Sequence, residues 1–121
     1  MTIKNIGNAE HYTWGVVCDG WRLLNGNDLA VTQECIPSGH GEVKHYHARS
    51  RQLFYVLDGK LNIEVANQIF VLGKGDSLEI PPTFHHRVWN AFEEDGSFLV
   101  ISAPTTAGDR VNLEPLPNSG I

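Results

Sequence analysis

Apolar and polar residues alternate over short runs along this chain, and no stretch carries the 3.6-residue period of an amphipathic helix. Lys60-Leu61-Asn62-Ile63-Glu64-Val65 alternates strictly, which predicts a strand with Leu61, Ile63 and Val65 turned inward. Leu53-Phe54-Tyr55-Val56-Leu57 is aromatic and branched and stops at Asp58-Gly59, a strand closed by a tight turn. Residues 11–18 and Trp21–Leu24 have strand composition, with Asp19-Gly20 read as the turn between them. Asn25-Gly26-Asn27-Asp28 predicts a hairpin turn. Leu29–Ile36 follows, with Leu29, Val31 and Cys35 on one face, and Pro37-Ser38-Gly39 breaks it. Ile69–Leu72, Ser77–Ile80, Arg87–Phe92 and Ser97–Ala103 read as further strands, the last two joined by a hairpin at 93–96. Residues 1–10 read as an arm or edge strand, and the chain from Pro104 onward as an irregular tail. Short strands with turn signals about every eight to twelve residues indicate an all-β sandwich or barrel.

At 121 residues the chain is one domain with one core, spanning 1–121. The conserved barrel is expected over about 28–102, with N-terminal strands or an arm over 1–27 and the tail over 104–121. A formal net charge of −5 argues against nucleic acid or an anionic membrane as partner. No apolar run approaches the ~20 residues of a membrane span, and no basic-then-apolar leader opens the chain. Cys18 and Cys35 show no metal-ligand spacing and read as two reduced thiols of a cytoplasmic protein.

The candidate chemistry lies in Gly39–Gly59 and Gly75–Asn90. His45 and His47, two apart, face the same side of a strand. Gln52 opens the next strand, and His86 opens a later one beyond a proline-bounded loop. Two imidazoles, an amide and a third imidazole then converge between sheets. The glycine and ligand spacings (Gly39, His45, His47, Gln52, Gly59; then Gly75, Pro81, Thr83, His86, Asn90) resemble the two motifs of the cupin superfamily, in particular its small single-domain members. Two positions depart: Gln52 stands where the family has glutamate, and Thr83 where it has glycine. A β-branched residue avoids positive φ, so the loop before His86 is expected to differ and to shift that ring slightly.

The resemblance implies a single antiparallel jelly-roll β-barrel. His45, His47, Gln52, Phe54, Val56, His86, Val88, Asn90 and Phe92 would face its lumen. It also implies one divalent transition metal ion (Zn, Ni, Fe or Mn, the identity left open) held by His45, His47, His86 and Gln52. Exchanging glutamate for Gln52 removes a negative charge, which favours Lewis-acid chemistry, an isomerase or cyclase, over a dioxygenase. Glutamine at this position resembles small cupins that act on polyketides and some dioxygenases. No carboxylate of the two motifs is expected inside the lumen, since Glu79 alternates outward, which leaves metal-bound water or the substrate itself to serve as the base.

His85 is expected on the outer face, His40 in a solvated loop, His11 without a partner, and Asn90 in a structural role. Tyr12, Trp14, Trp21 and Phe92 either line the cavity or fill the core, and Arg110 either meets an anionic substrate or a surface carboxylate. Tyr55 and Trp89, facing outward, suggest a homodimer. The expected partner is a small organic substrate. The alternative is a non-catalytic small-ligand or metal-sensing module of the same fold, or a metal that only ties the strands together.

Overall fold

A computed structural model describes residues 1–114. Among them there is no helix; eleven strands form two antiparallel sheets. The alternating runs become β3 (Ala30–Ile36), β5 (Arg51–Asp58), β6 (Lys60–Val65), β7 (Gln68–Gly73), β8 (Ser77–Ile80) and β10 (Gly96–Ala103). β1 (Glu10–Trp14) and β2 (Cys18–Asn25) precede them. β4 (His45–Tyr46), β9 (His86–Trp89) and β11 (Val111–Asn112) are short. One sheet runs β1-β2-β3-β10-β5-β8, the other β11-β4-β9-β6-β7. The chain crosses repeatedly from one sheet to the other, which is the jelly-roll winding expected of the all-β reading.

Alternation sorts each strand into an inner and an outer face, and the inner faces supply the core. Phe98, Ile36, Leu61, Ile63, Val56 and Val88 are at most 1% exposed. Removing the Phe98 ring from such a site would cost about 3–5 kcal/mol. The interior is graded along the β5–β10 pair. Val56 pairs with Phe98, Phe54 with Val100, and Gln52 with Ser102, so the lining passes from apolar to polar in three steps. At the polar end, across the gap between sheets, His45 of β4 pairs with His86 of β9, which pairs with Val65 of β6. The site therefore sits at the polar end of a barrel whose other end is solid core.

Several local expectations are corrected. The first hairpin turns at Gly15-Val16-Val17, not at Asp19-Gly20, and Gly15 and Val16 take φ of 55° and 79°. Gly20 lies inside β2, buried, because the Tyr12 ring occupies the space where its side chain would be. Residues 93–96 join strands of different sheets and form no hairpin. β9 stops at Trp89, so Phe92 lies beyond it, half-buried, with the Lys60 ammonium 5.7 Å from its ring centre rather than in the lumen. In β3 the set Ala30, Thr32, Glu34 and Ile36 faces in, while Leu29 is exposed. Residues 104–114 carry β11, and the rest of the expected tail lies outside the described residues.

Candidate metal centre

The geometry of the site begins with three main-chain carbonyls. His45 Nδ1 lies 2.9 Å from Val43 O, His47 Nδ1 2.6 Å from Asp109 O, and His86 Nδ1 2.9 Å from Phe84 O. A carbonyl only accepts, so each Nδ1 carries the proton and each Nε2 keeps its lone pair. The rings are buried, with centroids 4.3–5.5 Å apart, and one nitrogen of each lies within 4.8 Å of the other two. His86 Nε2 and Gln52 Oε1 are buried with no hydrogen-bond partner. An orphaned buried acceptor is costly, by about 1–3 kcal/mol. Two of them beside a three-imidazole cluster are what a cation would satisfy. Gln52 turns its amide nitrogen to Ser102 Oγ, 3.2 Å away, which leaves the oxygen as its free atom.

Burial, the largest cause, holds all three imidazoles neutral. His45 is pushed down to about 2, with further repulsion from His86 and Arg110. His86 is pushed down to about 4. His47 is also lowered, although its bond to Asp109 O opposes the shift. Neutral rings with fixed tautomers are ready ligands at neutral pH. His45, His47 and His86 are thus positioned to hold a metal ion.

His45, His47 and Gln52 line a cavity of about 370 Å³, with His86 behind them in the cluster. Contrary to expectation, carboxylates line it. Glu42, inside the first motif, accepts from the Val88 N–H at Oε1 (3.3 Å) and from Arg110 Nη1 at Oε2 (3.4 Å), with Oε2 3.8 Å from His45 Nδ1. Its side chain is 10% exposed, and burial pushes its pKa up to about 8 against the pull of Arg110. Glu34, on the inner face of β3, accepts a short hydrogen bond from the Tyr12 hydroxyl. Burial raises its pKa to about 7, and the Tyr12 bond, Arg110 and Arg22 hold it from rising further. The Tyr12 phenol is pushed above its usual value by its own burial and by Glu34. Sequence reading missed both carboxylates. The signal available for Glu34 was its alternation with Ala30, Thr32 and Ile36; for Glu42 there was none, since it lies in a loop.

The other candidates separate cleanly. Trp14 lines the cavity with Tyr12, whereas Trp21 lies against His11. His11 does have a partner, Asp19 Oδ1 at 2.7 Å. His85 stacks on Tyr46 on the outer face, and His40 is exposed in its loop. Asn90 is structural: its amide donates to Ile36 O and Glu94 O while its oxygen accepts from the Phe92 N–H. Arg110 reaches the cavity wall and pairs with Glu42 there. Cys18 and Cys35 are free thiols.

The class is thus an all-β barrel in which three histidines are placed to hold a metal ion beside a cavity of mixed polar and apolar lining. The cupin domain family matches residues 32–102, and the chain belongs to that family. An uncharacterised protein of Methanocaldococcus jannaschii is 28% identical over 82 residues, covering 68% of this chain and 66% of that protein. The polyketide synthase CurC of Streptomyces cyaneus is 29% identical over 77 residues, covering 64% of this chain and 45% of that protein. The similarity thus spans slightly under two thirds and under half of those relatives. Among solved structures, KdgF from Halomonas sp. superposes with a TM-score of 0.79 at 18% identity, covering 87% of this chain and 94% of its own. An RmlC-like cupin from Shewanella frigidimarina gives 0.78 at 23%, covering 87% and 92%. The Streptomyces nucleoside dehydratase Pac13 gives 0.79 at 15%, covering 99% and 97%. These likenesses are of fold.

Proposed function

We propose that this cupin is an enzyme that moves protons on a small oxygenated organic molecule, in a reaction of the isomerase, cyclase or dehydratase type. In this reading His45, His47, His86 and Gln52 hold one divalent transition metal ion. The observation that carries it is the shared cavity: His45 and His47, with His86 beside them, and two half-buried carboxylates, Glu34 and Glu42, whose pKa values are raised to about 7 and 8, meet at one space. Carboxyl groups tuned to near neutrality in a cleft are poised for general acid–base work. The bound ion would supply Lewis-acid polarisation of a substrate oxygen.

The chain's own residues do the rest. Glu42, protonated at pH 7, donates a proton or, once ionised, takes one; Arg110 stabilises its charged form. Glu34 exchanges its proton beside the Tyr12 hydroxyl, which stays bonded to Oε2 and leaves Oε1 for the substrate. Trp14 and Phe54 give the cavity apolar walls that exclude water. The dehydratase among the structural neighbours supports the view that this fold accommodates such chemistry, and CurC supports a polyketide-like substrate. A homodimer through the surface bearing Tyr55, 38% exposed, and a cytoplasmic location, with both thiols free, belong to the same proposal.

The test is elemental analysis followed by proton NMR in deuterated water with a panel of diketones, β-hydroxy carbonyls, keto acids and sugars. About one equivalent of metal, with turnover or deuterium incorporation lost in Glu42→Gln and Glu34→Gln, is expected. Metal without any reaction would favour the non-catalytic binding module. No metal would overturn the ligand set.

A further inference from the structure

Asp109 lies beyond the segment matched by the family, yet its side chain and its carbonyl both bond to the scaffold of the site. Its carboxylate is 4% exposed and accepts three main-chain N–H groups in a row: Ala48 at 2.8 Å, Arg49 at 3.0 Å and Ser50 at 2.9 Å. Those three residues are the turn between His47 and the strand that carries Gln52. Its own carbonyl accepts the proton of His47 Nδ1 at 2.6 Å. On either side of it the same segment is tied down. Ser50 Oγ donates to Pro104 O at 2.6 Å, and the Leu113 N–H donates to Lys44 O at 2.9 Å. β11 pairs with β4.

We propose that Asp109 is the positioning residue of the metal centre. Its side chain fixes the spacing between the β4 and β5 ligands, its main chain fixes the His47 tautomer, and the anchor it makes places Arg110 at the cavity wall. Three good hydrogen bonds to one buried carboxylate set the turn far more rigidly than the turn's own Ala-Arg-Ser sequence would. A histidine whose second nitrogen lost its carbonyl would divide between two tautomers, and only one of them presents Nε2. The proposal rests on the metal reading of the site, but its key readout does not need the metal.

The experiment compares wild type, Asp109→Asn and Asp109→Ala. The ring nitrogens of His47 are observed by nitrogen-15 NMR in metal-free protein, and zinc affinity is measured by competition with a chromophoric chelator. Wild type should show His47 as the pure Nδ1–H form. Asp109→Ala should show averaged tautomers and bind zinc about 10–100-fold more weakly, the usual effect of losing a residue that orients a ligand. Asp109→Asn, which keeps one acceptor oxygen, should fall between. If Asp109 only stabilises the fold, both variants would melt earlier while the folded protein kept the His47 tautomer and the zinc affinity; either of those unchanged in Asp109→Ala would overturn the proposal. A wild type that binds no zinc would sink the metal reading instead, and the His47 tautomer would still decide the role of Asp109.

Discussion

Tyr12 reaches Glu34 across a strand that lies between them. Tyr12 on β1 pairs with Gly20 on β2, and Gly20 pairs with Glu34 on β3, so the three form one row. A Cβ at Gly20 would lie 2.2–2.5 Å from the Tyr12 ring and hydroxyl. The missing side chain is what lets the phenol lie flat over β2 and bond the carboxylate. The Arg22 guanidinium covers the ring at 4.4 Å. Gly20→Ala should displace the ring, break the Glu34 bond and cost about 1–3 kcal/mol, as overpacking does. Tyr12→Phe keeps the ring and removes only the donor. Because that bond lowers the Glu34 pKa, the variant should titrate Glu34 above its wild-type midpoint of about 7. Carbon-13 NMR of the glutamate carboxyls reads it directly, and an unmoved midpoint would mean that Tyr12 does not tune Glu34.

That row also shows what the sequence could and could not disclose. That Gln52 and His86 belong with the HxH pair followed from the resemblance of two spaced motifs, and the structure brings His86 to the pair; His45 and His47 themselves were legible because strand alternation turns both to one face. The core was legible for the same reason, with Leu61, Ile63 and Val65 inward as alternation demands. Glu34, Tyr12 and Asp109 were not, because each acquires its role from a pairing with a distant part of the chain. Gly20 was misread as a turn because a strand glycine that makes room for a ring and a turn glycine look alike in one dimension. Glu42 sits in an irregular loop, where alternation gives no direction.

The titrating groups set opposite slopes on stability. Glu34 and Glu42 have folded pKa values of about 7 and about 8, above the ordinary glutamate value of 4.5. Between pH 4.5 and 8 the folded state therefore holds more carboxyl protons than the unfolded, and stability from these groups is lost as pH rises. The three histidines have folded values below 6.5. Below pH 6.5 the unfolded state binds the extra imidazole protons, and that stability is lost as pH falls. The metal-free protein should thus be most stable at about pH 6–7. Urea unfolding with a chelator present, across pH 4–9, gives the curve. Glu34→Gln with Glu42→Gln should flatten its alkaline limb and steepen the rise between pH 4.5 and 6.5, where the two sets of groups oppose each other. A decline above pH 7 that persists in the double variant would place the responsible group elsewhere.

Gln52→Glu separates the two demands on that position. Without metal, the new carboxylate would replace an amide that is 6% exposed, beside three neutral imidazoles and Ser102. Burying a charge there is costly unless a cation pairs with it. The metal-free variant should melt below wild type. With zinc the order should reverse, because the carboxylate adds attraction to the ion; an affinity gain of about tenfold or more requires only ~1.4 kcal/mol. Melting curves with and without zinc, beside elemental analysis, check both halves. Equal zinc affinities in the two proteins would show that residue 52 does not contact the metal.

Thr83 takes the conformation that a β-branched residue was expected to refuse. Its φ is 74°, and its N–H donates to His47 O at 2.7 Å, so the loop before His86 keeps the path a glycine would take and delivers the ring to the cluster. The left-handed region costs a non-glycine residue about 1–2 kcal/mol. Thr83 is exposed, so little packing offsets that cost. Glycine would relieve it but would add unfolded-state entropy of about 0.5–1 kcal/mol. Thr83→Gly should therefore stabilise the protein, by about 0.5–1 kcal/mol net, with zinc affinity unchanged because the backbone path is already the same. Thr83→Val should be neutral to destabilising. Chemical denaturation of the two variants against wild type decides this: a loss of stability in Thr83→Gly would mean that the threonine side chain makes a compensating contribution in the folded loop, and the strain argument would fail.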